Sequence, residues 1–186
     1  TFDASVTSMF MPLIYGKSIV IATNHAVNIF EQNILQKNAP YNFIKITPSH
    51  LELLQANICN VDNECLTGRL VIGGEALFLS HFDYLIRKGI NIEVINEYGP
   101  TEATIGCTTY SFHTLGENKN IQDRILIGKP IDNVQLHILD SNQCLVAIGV
   151  FGEICISGYG LARGYLNQPQ LTSEKFIKHT FYNDIE

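Results

Sequence analysis

Tryptophan is absent from the 186 residues, methionine occurs twice, and only 16% of the chain is charged, against about 25% in a typical globular protein. So little charge excludes an intrinsically disordered chain and argues against a free-standing domain with a fully solvated surface. Basic residues are the minority: twelve Lys and Arg face eighteen Asp and Glu, for a net charge of −6 and no basic run. A nucleic-acid partner is therefore not expected. The longest apolar stretches are broken by Lys17 or Lys129, well short of the roughly 18 residues a membrane helix needs, so no membrane partner is expected either. Five cysteines, Cys59, Cys65, Cys107, Cys144 and Cys155, form no C-x-x-C pair, and their number is odd. Neither zinc ligation nor a disulfide framework is expected, and a reducing cytoplasm is the default compartment. The six histidines show no H-E-x-x-H spacing. No signal peptide is visible and the chain opens on Thr1, so it is expected to be a piece of a longer polypeptide.

What is present is a hydrophobic fraction of 46%, and a compact chain of this size hides roughly 70% of its extended surface. The first two-thirds alternate short β-branched runs with helical patterns. Residues 18–22 (SIVIA), 43–47 (FIKIT), 70–72 and 92–97 read as strands. Residues 27–37, the stretch opening at Pro48 and residues 79–88 read as helices, the last closed by Gly89. Strands with continuous apolar character alternating with helices imply an α/β fold with a parallel sheet flanked by helices. After residue 112 the period changes: 114–123 is turn-like, and 134–139 (VQLHIL) and 152–158 (GEICISG) alternate as antiparallel strands do. Residues 161–165 suggest a short helical turn, and Thr172 a weak N-cap. The chain divides into 1–113 and 114–186.

In an open parallel sheet, ligands bind beyond the carboxyl ends of the strands. Three unusual segments fall there: Thr47-Pro48, Gly73-Gly74-Glu75, and residues 96–102 (NEYGPTE). Glycines at a strand end let backbone approach a flat ligand. Tyr98 offers an aromatic face, Thr101 a hydroxyl for a phosphate oxygen, and Glu102 a hard carboxylate for Mg²⁺. A tight Gly-Pro turn followed by a capping Thr-Glu is the competing structural reading.

The string 96–102 resembles a core motif of the adenylation domains of nonribosomal peptide synthetases, which belong to the adenylate-forming superfamily with acyl-CoA synthetases and luciferases. Phe2-Asp3-Ala4-Ser5 resembles that family's FDxS motif, Gly73-Gly74-Glu75-Ala76 its mid-domain glycine motif, and residues 152–166 (GEICISGYGLARGYL) its GELxIxGxGLARGYL motif. The resemblance covers essentially the whole chain. It implies a flavodoxin-like αβ subdomain followed by part of a β-barrel subdomain. The family's phosphate loop, its YRTGD-type segment and its small C-terminal domain with a catalytic Lys have no counterpart in these residues. The 186 residues alone are thus expected to be inactive.

The resemblance further implies that ATP and an amino acid react to aminoacyl-AMP, which then loads the phosphopantetheine thiol of a carrier protein beside condensation domains. By similarity, Asp3 binds the substrate ammonium, Asn96 the adenine amino group, and Tyr98 packs on the ring. Gly73, Gly74 and Glu75 line the nucleotide, Thr101 touches the α-phosphate and Glu102 holds Mg²⁺, these last two being the catalytic pair. Asp3 also reads as an N-cap for a helix over residues 4–13. Arg163 is given only a structural role. The family's side-chain pocket maps onto Asp3, Ala4, Thr7, Lys45, Val71, Gly73, Glu97, Ile105 and Gly106. Lys45 lies between Ile44 and Ile46 in a strand that otherwise reads as buried, and a buried ammonium needs a partner. Glu97 offers one; the competing reading is a lysine that snorkels to solvent. As pocket residues the pair resembles the family's asparagine-type pattern, with Ala4 where Leu is more usual. Two alternatives stand beside this: an acyl- or aryl-CoA ligase of the same superfamily, and a non-catalytic binding module.

Overall fold

The computed structural model describes residues 3–20, 37–55, 58–59, 65–116 and 123–178. Helix α1 spans Ser5–Ile14. Strand β1, Ile44–Ile46, leads through Thr47 into α2, Pro48–Gln55. Proline suits the first turn because its missing N–H has no intrahelical acceptor there. Strand β2 is Arg69–Gly73. The helix expected over 79–88 is a 3₁₀ turn, Leu79–Phe82, running into α3, Asp83–Arg87. Gly89 then adopts φ +68, the left-handed geometry that ends a helix at least cost to glycine. Strand β3, Glu93–Tyr98, a 3₁₀ turn at Thr101–Ala103 and β4, Thr108–His113, follow. The chain continues with β5, Lys129–Pro130, β6, Val134–Leu139, β7, Glu153–Gly158, and α4, Pro169–Lys175.

Strands β1, β2 and β3 pair in parallel, and β4 and β5 add antiparallel to the β3 edge. The three strands read from apolar runs are parallel as expected, and β4 and β5, which the sequence reading did not include, make the sheet mixed. The turn at 99–107 is too short for a parallel crossover, which needs a dozen or more residues. Strands β6 and β7 form a separate antiparallel pair, as their alternation predicted.

Side-chain parity divides the first sheet into two faces. Ile44 and Ile46 align with Leu70 and Ile72, which align with Val94 and Asn96. The five apolar members of that set join the core with Leu51 and Leu54 of α2, Phe82, Leu85 and Phe112. The opposite face carries Lys45 against Val71, Val71 against Ile95, and Gly73 against Glu97. One face builds the core and the other is left for polar work.

Four expectations need correction. Residues 18–20 are irregular, with Val20 45% exposed, so the described part of 18–22 is not a buried strand. Residues 161–165 form no helical turn; the helix begins at Pro169, a residue pre-set for the first turn, and Thr172 lies inside it. Asp3 does not cap α1 through its side chain: Ala4 is the N-cap residue, and only the Asp3 carbonyl serves, accepting from Val6 N–H at 2.9 Å. Finally, Cys59 and Cys65 form a disulfide across a local antiparallel bridge that holds their Cα atoms 3.9 Å apart, a proximity created by chain reversal and invisible in the spacing. Of the helix expected over 27–37, all but Lys37 lies outside the described residues.

Candidate functional site

The polar face of the sheet is centred on an ion pair. Lys45 Nζ on β1 donates to Glu97 Oε1 on β3 at 2.7 Å, and the two side chains are only 5% and 14% exposed. The snorkelling alternative for Lys45 is thus excluded. A second Lys45 N–H reaches Thr7 Oγ1 on α1 at 2.9 Å. An ammonium has three hydrogens and a carboxylate two oxygens, so among the described residues one donor on Lys45 and Oε2 of Glu97 remain for a ligand.

Two glycines make room for Glu97. A Cβ on Gly73, its partner across β2–β3, would meet the Glu97 carbonyl oxygen at 2.5 Å. A Cβ on Gly106 would meet Glu97 Cγ and Cδ at 2.6 Å and Oε1 at 2.8 Å. The loop that brings Gly106 here is strained: Thr104 and Ile105 have φ of 57° and 76°. For a β-branched residue such a φ is a genuine outlier, costing on the order of 1–3 kcal/mol and met chiefly at functional sites. It is held by Cys107 N–H on the Tyr98 carbonyl at 2.8 Å. Val71, 8% exposed, lies beside Lys45 in register. Thr7, Lys45, Val71, Gly73, Glu97 and Gly106 are thus one neighbourhood, with Ile105 next to Gly106 in the strained loop, whereas Ala4 serves as the α1 N-cap without a side-chain bond.

Asp3 meets a residue 98 positions away: Thr101 donates its hydroxyl to Asp3 Oδ2 at 2.7 Å. The pairing links the residue expected at the ammonium to the residue expected at the phosphate. Asn96, 5% exposed, faces the opposite side of β3 from Glu97, and its Nδ2 donates to the Leu126 carbonyl at 2.8 Å. That bond uses one of the two amide hydrogens, and Oδ1 is an acceptor of the kind an exocyclic amine requires. Tyr98 is 37% exposed, and Gly74 takes φ +89. Glu75 is engaged elsewhere, where its carboxylate accepts from Ser49 Oγ and, at 3.3 Å, from Ser49 N–H at the α2 N-terminus. A negative group there satisfies an orphan amide and the helix dipole.

Glu102 accepts a short hydrogen bond from the Tyr165 hydroxyl, a partner that no local pattern pointed to although it lies in the 152–166 motif. That bond, foremost, holds the Glu102 carboxyl below its ordinary value, and the same bond pushes the Tyr165 phenol up. Among the described residues no three His, Cys, Asp or Glu side chains converge as a metal cage. Mg²⁺, however, commonly takes one or two carboxylates together with substrate phosphates and water. A lone ionised Glu102 fits a cation that arrives with a phosphate.

A family model described as AMP-binding enzyme matches residues 1–166. Bacitracin synthase 3 of Bacillus licheniformis is 38% identical over 181 residues, covering 97% of this chain and 3% of that protein. Gramicidin S synthase 1 of Brevibacillus brevis is 37% identical over 186 residues, covering 97% and 16%. Among solved structures, an NRPS protein containing adenylation and PCP domains superposes with a TM-score of 0.78 at 27% identity, over 97% of this chain and 36% of that one. An N-terminal subdomain from Klebsiella oxytoca, solved with 3-hydroxybenzoyl-AMSN, shares the fold at a TM-score of 0.74 and 22% identity, over 95% and 44%. The chain thus spans a small fraction of the curated relatives it matches. The resemblance to adenylation domains of nonribosomal peptide synthetases holds over nearly its whole length.

Proposed function

This chain belongs to the AMP-binding enzyme family, and we propose that it is the amino-acid-selecting portion of a nonribosomal peptide synthetase adenylation domain that activates asparagine. The observation that carries the reading is the Thr7–Lys45–Glu97 cluster, a nearly buried ion pair with one donor and one acceptor to spare. A side-chain carboxamide matches it group for group: oxygen to Lys45, NH₂ to Glu97. The pair sums to zero charge, so a neutral polar side chain leaves nothing unmatched. Aspartate would bring a second carboxylate toward Glu97. Glutamine adds one methylene, a difference worth only about 1–3 kcal/mol.

The substrate ammonium docks on Asp3, whose carboxylate accepts the Thr101 hydroxyl until the nucleotide takes it. This carboxylate is also why an amino acid suits the site better than a simple acyl or aryl acid. The substrate carboxylate attacks the α-phosphorus of ATP; an O–P bond forms, and the bond to pyrophosphate breaks. The chain's own part is positioning and charge stabilisation. Asn96, Tyr98, Gly73 and Gly74 hold the nucleoside, and Thr101 turns its one hydroxyl hydrogen from Asp3 to an α-phosphate oxygen once ATP is bound. Glu102 would hold Mg²⁺, which when bound disperses phosphate charge. The acyl group then passes to the phosphopantetheine thiol of a carrier protein, with condensation domains as neighbours. Residues 1–113 bear the site, and 114–186 form a second lobe.

Amino-acid-dependent ATP–pyrophosphate exchange by the complete protein tests the reading. Asparagine should lead the profile. Preference for a large apolar amino acid would sink the pocket assignment, and exchange driven by carboxylic acids without an ammonium would favour the acyl-CoA ligase alternative.

A further inference from the structure

Tyr165 is fixed on three sides before it reaches the site. Its N–H donates to Thr172 Oγ1 of α4 at 2.9 Å, and its ring meets Phe176 edge-on at 5.7 Å. Gly164 before it takes φ +132, and a Cβ there would run into the Thr172 side chain, so the backbone lies hard against α4. From this anchorage the hydroxyl donates to Glu102 Oε1. Two backbone contacts clamp the same junction: Ala162 N–H donates to the Glu102 carbonyl at 2.7 Å, and the Thr104 hydroxyl donates to the Gly160 carbonyl. Residues 158–165 thus grip the 3₁₀ turn at Thr101–Ala103 from outside the sheet.

We propose that Tyr165 is a positioning residue for the Mg²⁺-binding carboxylate: its hydroxyl holds Oε1 and so sets the rotamer in which Glu102 meets a cation carried in by a nucleotide. This rests on the reading of Glu102 given above. A carboxylate free to rotate must be ordered when the cation arrives, and a carboxylate held by an anchored phenol is ordered beforehand. Hydrogen-bond partners of this outer kind typically tune metal affinity about ten- to a hundredfold. One bond to a single carboxylate, with phosphates supplying other ligands, belongs at the low end.

The test uses the complete protein and calorimetric titration of a non-hydrolysable ATP analogue over a series of Mg²⁺ concentrations. Tyr165→Phe keeps the ring on Phe176 and removes only the hydroxyl. It should raise the Mg²⁺ concentration for half-maximal analogue binding about tenfold, leave Mg²⁺-free affinity unchanged, and have no further effect in a Glu102→Gln background. Thr172→Val, which loosens the anchorage and keeps the hydroxyl, should shift the same midpoint by a smaller factor. Equal loss of analogue affinity with and without Mg²⁺, or an unmoved midpoint in both variants, overturns the proposal while leaving Glu102 in place. If Glu102→Gln itself leaves the Mg²⁺ dependence unchanged, the reading of Glu102 fails and the role of Tyr165 falls with it.

Discussion

Gly106→Ala puts one methyl group into the space of the Glu97 carboxylate. The backbone at 106 does not require glycine's left-handed region, so the substitution adds no strain of its own. Its new Cβ would sit 2.6 Å from Glu97 Cγ and Cδ, about an ångström inside the optimal carbon–carbon separation of about 3.5–4.0 Å. Alanine cannot retreat, because its Cβ is fixed to the main chain; the Glu97 side chain must swing away, and the 2.7 Å bond to Lys45 is lost. Hydrogen bonds to charged groups are worth about 1.5–3 kcal/mol net. At about 1.4 kcal/mol per decade, kcat/KM for asparagine should fall by roughly ten- to a hundredfold. Pyrophosphate exchange by the complete protein reads the loss, and KM for ATP should stay put because Asn96 lies on the other face of β3. The decisive control is Glu97→Ala: with no carboxylate to strike, adding Gly106→Ala should cost less than about twofold more, the non-additivity expected of residues in contact. An equal loss in both backgrounds would show that Gly106 acts through something other than Glu97.

Asp3→Ala should impair every α-amino acid alike, by about ten- to a hundredfold in kcat/KM, as the ammonium loses a charged partner; matched activity of folded mutant and wild type refutes the role. Glu97→Gln should raise the aspartate-to-asparagine activation ratio, read by competitive exchange, since the like charge is removed. Leu51→Ala and Leu54→Ala, both fully buried under the sheet, should each cost about 2–5 kcal/mol, measurable by denaturant unfolding. Glu93 is held below its ordinary carboxyl value of 4.5, chiefly by its hydrogen bond from Arg69, so its contribution to stability is complete above the unfolded value and fades as pH falls through the native one. Glu93→Gln should therefore lower the neutral plateau of a melting-temperature-against-pH curve slightly, flatten its acid slope, and leave the most acid values nearly unchanged.

Strand existence was legible wherever an apolar run met a turn signal: β2 and β3 fall within a residue or two of the runs at 70–72 and 92–97. The pairing of Lys45 with Glu97 was legible too, because a lysine isolated between two isoleucines in an apolar strand demands an anion. What the sequence could not display were contacts closed by the fold. Thr101 on Asp3, Tyr165 on Glu102 and Ser49 on Glu75 bridge 98, 63 and 26 positions, and no local pattern marks them. The disulfide escaped for a related reason, since a spacing of six fits many geometries and only chain reversal brings the sulfurs together. Strand β4 went unread because its sequence, TTYSFH, carries no apolar run to mark it.

The two-faced sheet also limits how this scaffold can change its preferences over generations. Asn96 and Glu97 are neighbours in the chain and occupants of different rooms. Deleting or inserting a single residue within β3 would exchange the rooms, driving Glu97 into the apolar layer and Asn96 toward Lys45, and the penalty would fall on folding and recognition at once. Lineages that alter the pocket are thereby confined to point substitutions at fixed strand positions, with length variation relegated to loops such as the one between Leu139 and Glu153.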